Sequence, residues 1–110
     1  MKPETKLSRA IDKALKKCGF MVERVQTGEH RVRGGYLRCA SNGTPDRVVV
    51  GLGWIEIKRP GEELSEAQES WHRRAIARGA RVAVVRSVQE AVETVVEWRA
   101  GLTESRKTTS

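Results

Sequence analysis

The sequence predicts an α/β domain built on one mixed β-sheet with helices on its faces. Segments of helical and strand pattern follow one another in the order α-β-β-β-β-α-β-α. A length of 110 residues suits one core and is too short for a second lobe. No internal repeat or linker interrupts the series.

Leu7, Ala10, Ile11, Ala14, Leu15 and Cys18 recur at helical spacing and Gly19 follows as a stop, which predicts a helix over residues 4–18 with one buried stripe. Its other side carries Arg9, Lys13, Lys16 and Lys17, a run that either tracks phosphates or is a solvated face. Aromatic and β-branched residues predict a strand over 20–25. Residues 28–35, polar, basic and Gly-containing, predict a loop leading into a second strand over 36–40. Ser41, Asn42, Gly43 and Pro45 mark a turn, after which strands over 47–50 and 54–58 flank the reversal Gly51-Leu52-Gly53; Pro60 and Gly61 end the pair. Ser65 and Gln68 make a Ser-x-x-Gln capping box, and Leu64, Ala67, Trp71, Ala75 and Arg78 trace a helix that stops at Gly79. A strand over 81–86 precedes a second box, Ser87 with Glu90, which opens a last helix through Val88, Val92, Val95, Val96 and Trp98. The domain is expected to span 1–102, with 103–110 a polar, disordered tail.

A hydrophobic fraction of 38% sets the chain apart from disordered and membrane proteins. Its longest apolar run, residues 48–55, is far short of the roughly 20 residues that span a bilayer, and the first five residues lack the apolar core of a secretory signal. A cytoplasmic location is expected, with no membrane partner. Cys18 and Cys39 form no Cys-x-x-Cys unit and match no zinc spacing with His30 and His72, so both are expected as reduced packing residues. Nothing points to a small-molecule cofactor. Lys and Arg total 21 against 14 Asp and Glu, and the net charge of +7 favours a polyanionic partner, nucleic acid first among them; a solubilising surface is the alternative. Besides the first helix, Arg31, Arg33 and Arg38 offer a second basic segment.

Asp46, Glu56 and Lys58 stand out among the apolar residues of the two central strands. A three-residue loop at 51–53 would set Val50 opposite Trp54, Val48 opposite Glu56 and Asp46 opposite Lys58. Side chains alternate with period two, so the three ionisable groups would share one face. Gathered there, they need compensation, since buried unpaired charge is costly. A hard divalent cation would provide it, because Mg²⁺ takes oxygen ligands and keeps several waters. A salt bridge from Lys58 to either carboxylate is the plain alternative.

Gly43-Thr44-Pro45-Asp46 followed by Glu56-Ile57-Lys58 resembles the signature of PD-(D/E)XK nucleases, the restriction-endonuclease-like fold. Glu4 opening the first helix, Gly19 closing it, Leu64-Ser65-x-x-Gln68, and a strand ending in Arg86-Ser87 narrow the resemblance to the VRR-NUC family, the virus-type replication-repair nuclease domain. The resemblance implies Mg²⁺ or Mn²⁺ held by Asp46, Glu56, the Ile57 carbonyl and Glu4, and catalysis by Asp46, Glu56, Lys58 and Gln68. It further implies a homodimeric endonuclease acting on branched DNA, four-way junctions in particular. Three Trp and a Val-rich last helix are more than a small core needs, so Trp54 or Trp98 belongs either to a dimer seam or to ordinary core packing. A non-catalytic module that binds structured nucleic acid is the other class of reading. Glu4 can also act through the dipole of its helix, and Gln68 through its cap alone. Gln26-Thr27-Gly28 departs from the Asn-Ser-Gly-like run of many relatives, which bears on substrate contacts there and leaves the metal site untouched. For Arg86, contact with DNA and pairing with a carboxylate both stay open.

Overall fold

Helix α1 (Pro3–Lys17) forms where the apolar spacing runs unbroken from Leu7 to Leu15. The chain is described here from a computed structural model covering residues 3–26, 29–32, 35–38 and 42–108, with side chains described over 5–26 and 42–102. Then come β1 (Val22–Arg24), β2 (Glu29–Val32), β3 (Gly35–Arg38), β4 (Arg47–Val49), β5 (Gly53–Ile57), α2 (Glu66–Ala77), β6 (Val82–Val85) and α3 (Val88–Thr108). The main sheet is mixed and four-stranded, in the order β1-β4-β5-β6, with β5 and β6 parallel and the other pairs antiparallel. The connection from β5 to β6 runs through α2, the helical crossover that a parallel pair requires.

Alternation along the strands divides the two faces. Val49, Ile55 and Val85 point to one side and pack with Ile11 and Leu15 of α1 and Ala91 and Val95 of α3, all buried. Losing one such aliphatic side chain to Ala costs about 2–5 kcal/mol. The opposite face is covered by α2, whose Trp71 meets Trp54 of β5 edge-on with ring centroids 5.1 Å apart. Trp98 lies over Gly53, where a Cβ would come within 2.7 Å of its ring. Trp54 and Trp98, each open to a seam or a core role, are thus half-buried inside their own chain.

Four expectations change. Residues 28–35 are not all loop: β2 pairs with β3 from Glu29↔Arg38 to Val32↔Gly35 as a separate two-stranded ribbon. Its polar, Gly-containing sequence shows no regular apolar alternation to betray a strand. The β4–β5 loop is three residues long but lies one position earlier, at 50–52, because the Val50 N–H donates to Met21 O (2.9 Å) and the Leu52 N–H to Val49 O (3.0 Å). Cys18 is an exposed free thiol and Ala10 is also exposed, so the buried stripe of α1 centres on Ile11 and Leu15; Cys39 lies outside the described residues. Finally, α3 continues into the segment expected as a tail, where neither Pro nor a paired turn signal stops it. Among the described residues no helix is long and apolar enough to cross a membrane.

Candidate active site

The strand pairing Arg47↔Ile55 and Val48↔Trp54, continued by one step, sets Asp46 opposite Glu56. This register differs from the expected one by two residues, and a shift of two leaves every side chain on its face. Asp46, Glu56 and Lys58 therefore still share the α2 side of the sheet. Backbone holds Asp46 from both flanks: Val25 N–H donates to its carbonyl at 2.9 Å, and Ile57 N–H to its carboxylate Oδ2 at 3.0 Å. Next to it Glu56 is 1% exposed. Burial first, then the hydrogen bond and charge of Asp46, push its carboxyl up to about 8 against an opposing pull from Lys58. Like-charged carboxylates this close share a proton unless a cation joins them.

Among the described residues Glu56 Oε1 has no hydrogen-bond partner, and neither has Nε2 of the buried His72, which lies 3.5 Å from it. Burial, and then the Lys58 charge, hold the His72 pKa below the usual imidazole value. Asp46, Glu56, Ile57, Lys58 and Gln68 line a polar cleft of about 690 Å³, and α1 closes its other side with Ser8, Arg9 and Asp12. Two facing carboxylates, one of them buried, at the wall of a polar cleft fit a hard divalent cation of the Mg²⁺ or Mn²⁺ kind. No group of three His, Cys, Asp or Glu that could hold a metal ion gathers among the described residues, where the cleft offers the carboxylates of Asp46 and Glu56.

No family model matches the chain, and no curated protein matches it by sequence. Among solved structures, one described as a VRR_NUC domain superposes with a TM-score of 0.61 over 86% of this chain and 94% of its own, at 23% identity. The chain has the VRR_NUC fold.

Within the VRR_NUC fold the remaining expected residues fall as follows. Gln68 lines the cleft and also caps α2: the Ser65 N–H donates to its Oε1 (2.9 Å) while its own N–H donates to Ser65 Oγ (3.2 Å), so its amide nitrogen is the group left to offer the site. Gly43 explains how α2 comes so near. It has φ +93° and lies against the first turn of the helix, where a Cβ would strike the Ala67 carbonyl. Lys13, Lys16 and Lys17 are exposed on α1 but do not line the cleft, whose basic residues among those described are Lys58, Arg9, Arg24, Arg47 and Arg59. The side chains of Glu4, Arg31 and Arg38, and the whole of Arg33, lie outside the described residues. The Arg86 guanidinium donates to the backbone carbonyl of Glu62 at 2.8 Å, and the Arg86 backbone N–H donates to the Glu90 carboxylate at 2.9 Å.

Two features escaped the sequence reading. Arg47, 8% exposed, grips Asp12 of α1 through Nε–Oδ1 at 2.8 Å and Nη2–Oδ2 at 3.0 Å, and Nη1 donates to Asp46 O at 3.1 Å. This bidentate pair ties the strand carrying Asp46 to α1. Its signal was available: Arg47 stands two positions before core Val49, so its side chain points to the helix side, where a counter-charge had to be waiting. His72 was the other. It follows Gln68 by four residues, one turn further along the same helix face.

Proposed function

We propose that this chain is a VRR-NUC-type, divalent-metal-dependent endonuclease that hydrolyses phosphodiester bonds in branched DNA, with four-way junctions the foremost substrate. The observation that carries the reading is buried Glu56 opposite Asp46, with Lys58 on the same face, in a cleft that also takes Arg9, Arg24 and Arg59. Asp46, Glu56 and the Ile57 carbonyl would hold Mg²⁺ or Mn²⁺, and Glu4 would add a further carboxylate. When bound, such a cation lowers the pKa of water and offsets the negative charge that builds on the attacked phosphate. Lys58 orients the nucleophile or stabilises the oxyanion, and the amide nitrogen of Gln68 can donate to the same phosphate. Arg9, Arg24 and Arg59 would meet phosphates beside the scissile bond. Lys13, Lys16, Lys17, Arg31, Arg33 and Arg38 would follow the flanking duplexes.

Two matched nicks in a symmetric junction need two sites, which a twofold homodimer supplies. Light scattering should then report twice the 12.3 kDa chain mass. The direct test incubates the protein with labelled four-way, flap and plain duplex DNA in Mg²⁺, Mn²⁺ or EDTA. Cleavage of the branched substrates that needs metal, and that D46N and E56Q abolish while still binding DNA, is the expected outcome. Metal-independent cutting, or wild-type rates in either variant, would overturn the assignment; binding without cleavage in every metal would favour a non-catalytic module.

A further inference from the structure

His72, behind the two carboxylates, has no role in the function proposed above. Glu56 Oε1 and His72 Nε2 are both buried, both lack a hydrogen-bond partner among the described residues, and lie 3.5 Å apart. A side-chain adjustment of a few tenths of an ångström brings them to hydrogen-bonding distance. Both atoms are shut off from solvent, and a buried polar atom left unpaired is costly.

We propose that His72 is a positioning residue, whose Nε2–H anchors Oε1 of Glu56 so that the other carboxylate oxygen is presented to the divalent cation. The inference rests on the metal-site reading and adds to it a residue that touches neither metal nor DNA. Three features of α2 fix the imidazole for this task. Ser65 and Gln68 cap the helix start through reciprocal hydrogen bonds. Gly43 admits the first turn against the segment that leads into Asp46. Trp71, next to His72, is wedged edge-on against Trp54, two residues before Glu56 on the same strand. A neutral imidazole with its proton on Nε2 suits the place better than an imidazolium, which Lys58 and a bound cation would both repel. A carboxylate pinned at one oxygen loses less rotamer freedom when the other takes a metal, which is how hydrogen bonds behind a ligand raise affinity.

The test measures Mn²⁺ binding to the DNA-free protein by titration calorimetry and by manganese EPR, independently of cleavage, in wild type, H72L, H72Q and H72N. Gln reaches with its Nε2 to about where the imidazole Nε2 lies, whereas Asn is one methylene too short. Wild type is expected to bind Mn²⁺, H72Q to stay close to it, and H72L and H72N to weaken by about 10- to 100-fold. A mere packing role would not separate Gln from Asn in metal affinity. If H72L fails to fold, the Gln and Asn pair decides: equal affinities for the two overturn the positioning role. So does wild-type affinity in a folded H72L. Failure of the wild type itself to bind Mn²⁺ would instead overturn the metal-site reading, and this inference with it.

Discussion

Glu56 is the residue on which stability and chemistry conflict. Its pKa in the fold is about 8, above the ordinary 4.5, so the folded chain holds a proton there that the unfolded chain has released. The stabilisation is complete below about pH 4.5 and is lost as pH rises through about 8. In EDTA, melting temperatures of wild type should therefore fall between pH 5 and pH 9 by more than those of E56Q, whose amide cannot ionise. Calorimetric scans across that range check this, and parallel curves would mean that Glu56 is not the group. Lys58 carries no comparable stability role, as it is half-exposed at the end of β5. Lys58→Ala should fold normally and lose about 10²-fold or more in cleavage rate, the scale of removing one preorganised donor. Single-turnover rates at saturating enzyme would show it, and an unchanged rate would make the ammonium structural.

At the scale of elements, the site depends on α2 lying against the turn before β4. Gly43→Ala imposes a Cβ at positive φ and drives it into the Ala67 carbonyl, so it should cost at least about 1–3 kcal/mol. Urea unfolding would measure that loss, and a neutral substitution would show that α2 can retreat without harm. Such local geometry was legible beforehand only where neighbours in sequence make the contact. The Ser65–Gln68 box was read from four residues and forms as read. The second box forms by half: Ser87 Oγ accepts from the Glu90 N–H, but the Glu90 carboxylate turns to the Arg86 N–H. The shared face of Asp46, Glu56 and Lys58 was legible because alternation survives a register error of two. The register itself was not, since it is decided by a bond from Val50 to Met21, just before β1 and distant in sequence. Arg47–Asp12 and Glu56–His72 were hidden for the same reason: 35 and 16 positions separate the partners, and no periodicity links them.

For the whole molecule, the charge of +7 is the property that reaches furthest from the cleft. If Arg9, Arg24, Arg59 and the lysines of α1 meet phosphates, affinity for junction DNA should fall by roughly 10³–10⁵ between 50 and 200 mM salt, the range for about 6–10 contacts. Fluorescence anisotropy with the D46N variant would record it without cleavage. A flat dependence would make the charge a solvated surface.

The β2–β3 ribbon also has a consequence for how this fold can change. The chain leaves the main sheet after β1 and returns to pair with that same strand through β4, Arg24 lying opposite Arg47. What lies between closes a loop whose ends are already together. Doubling or halving such an excursion changes the closure entropy by only about 0.6 kcal/mol. Replacing residues 29–38 by a short Gly-Ser turn should leave the melting temperature nearly unchanged and Mn²⁺ binding intact, while altering which DNA is held, since Arg31, Arg33 and Arg38 go with it. Collapse of the sheet in that variant would show the ribbon to be a structural part. Survival would make it a replaceable cassette, through which substrate preference can be rewritten by insertion and deletion while the carboxylates stay where they are.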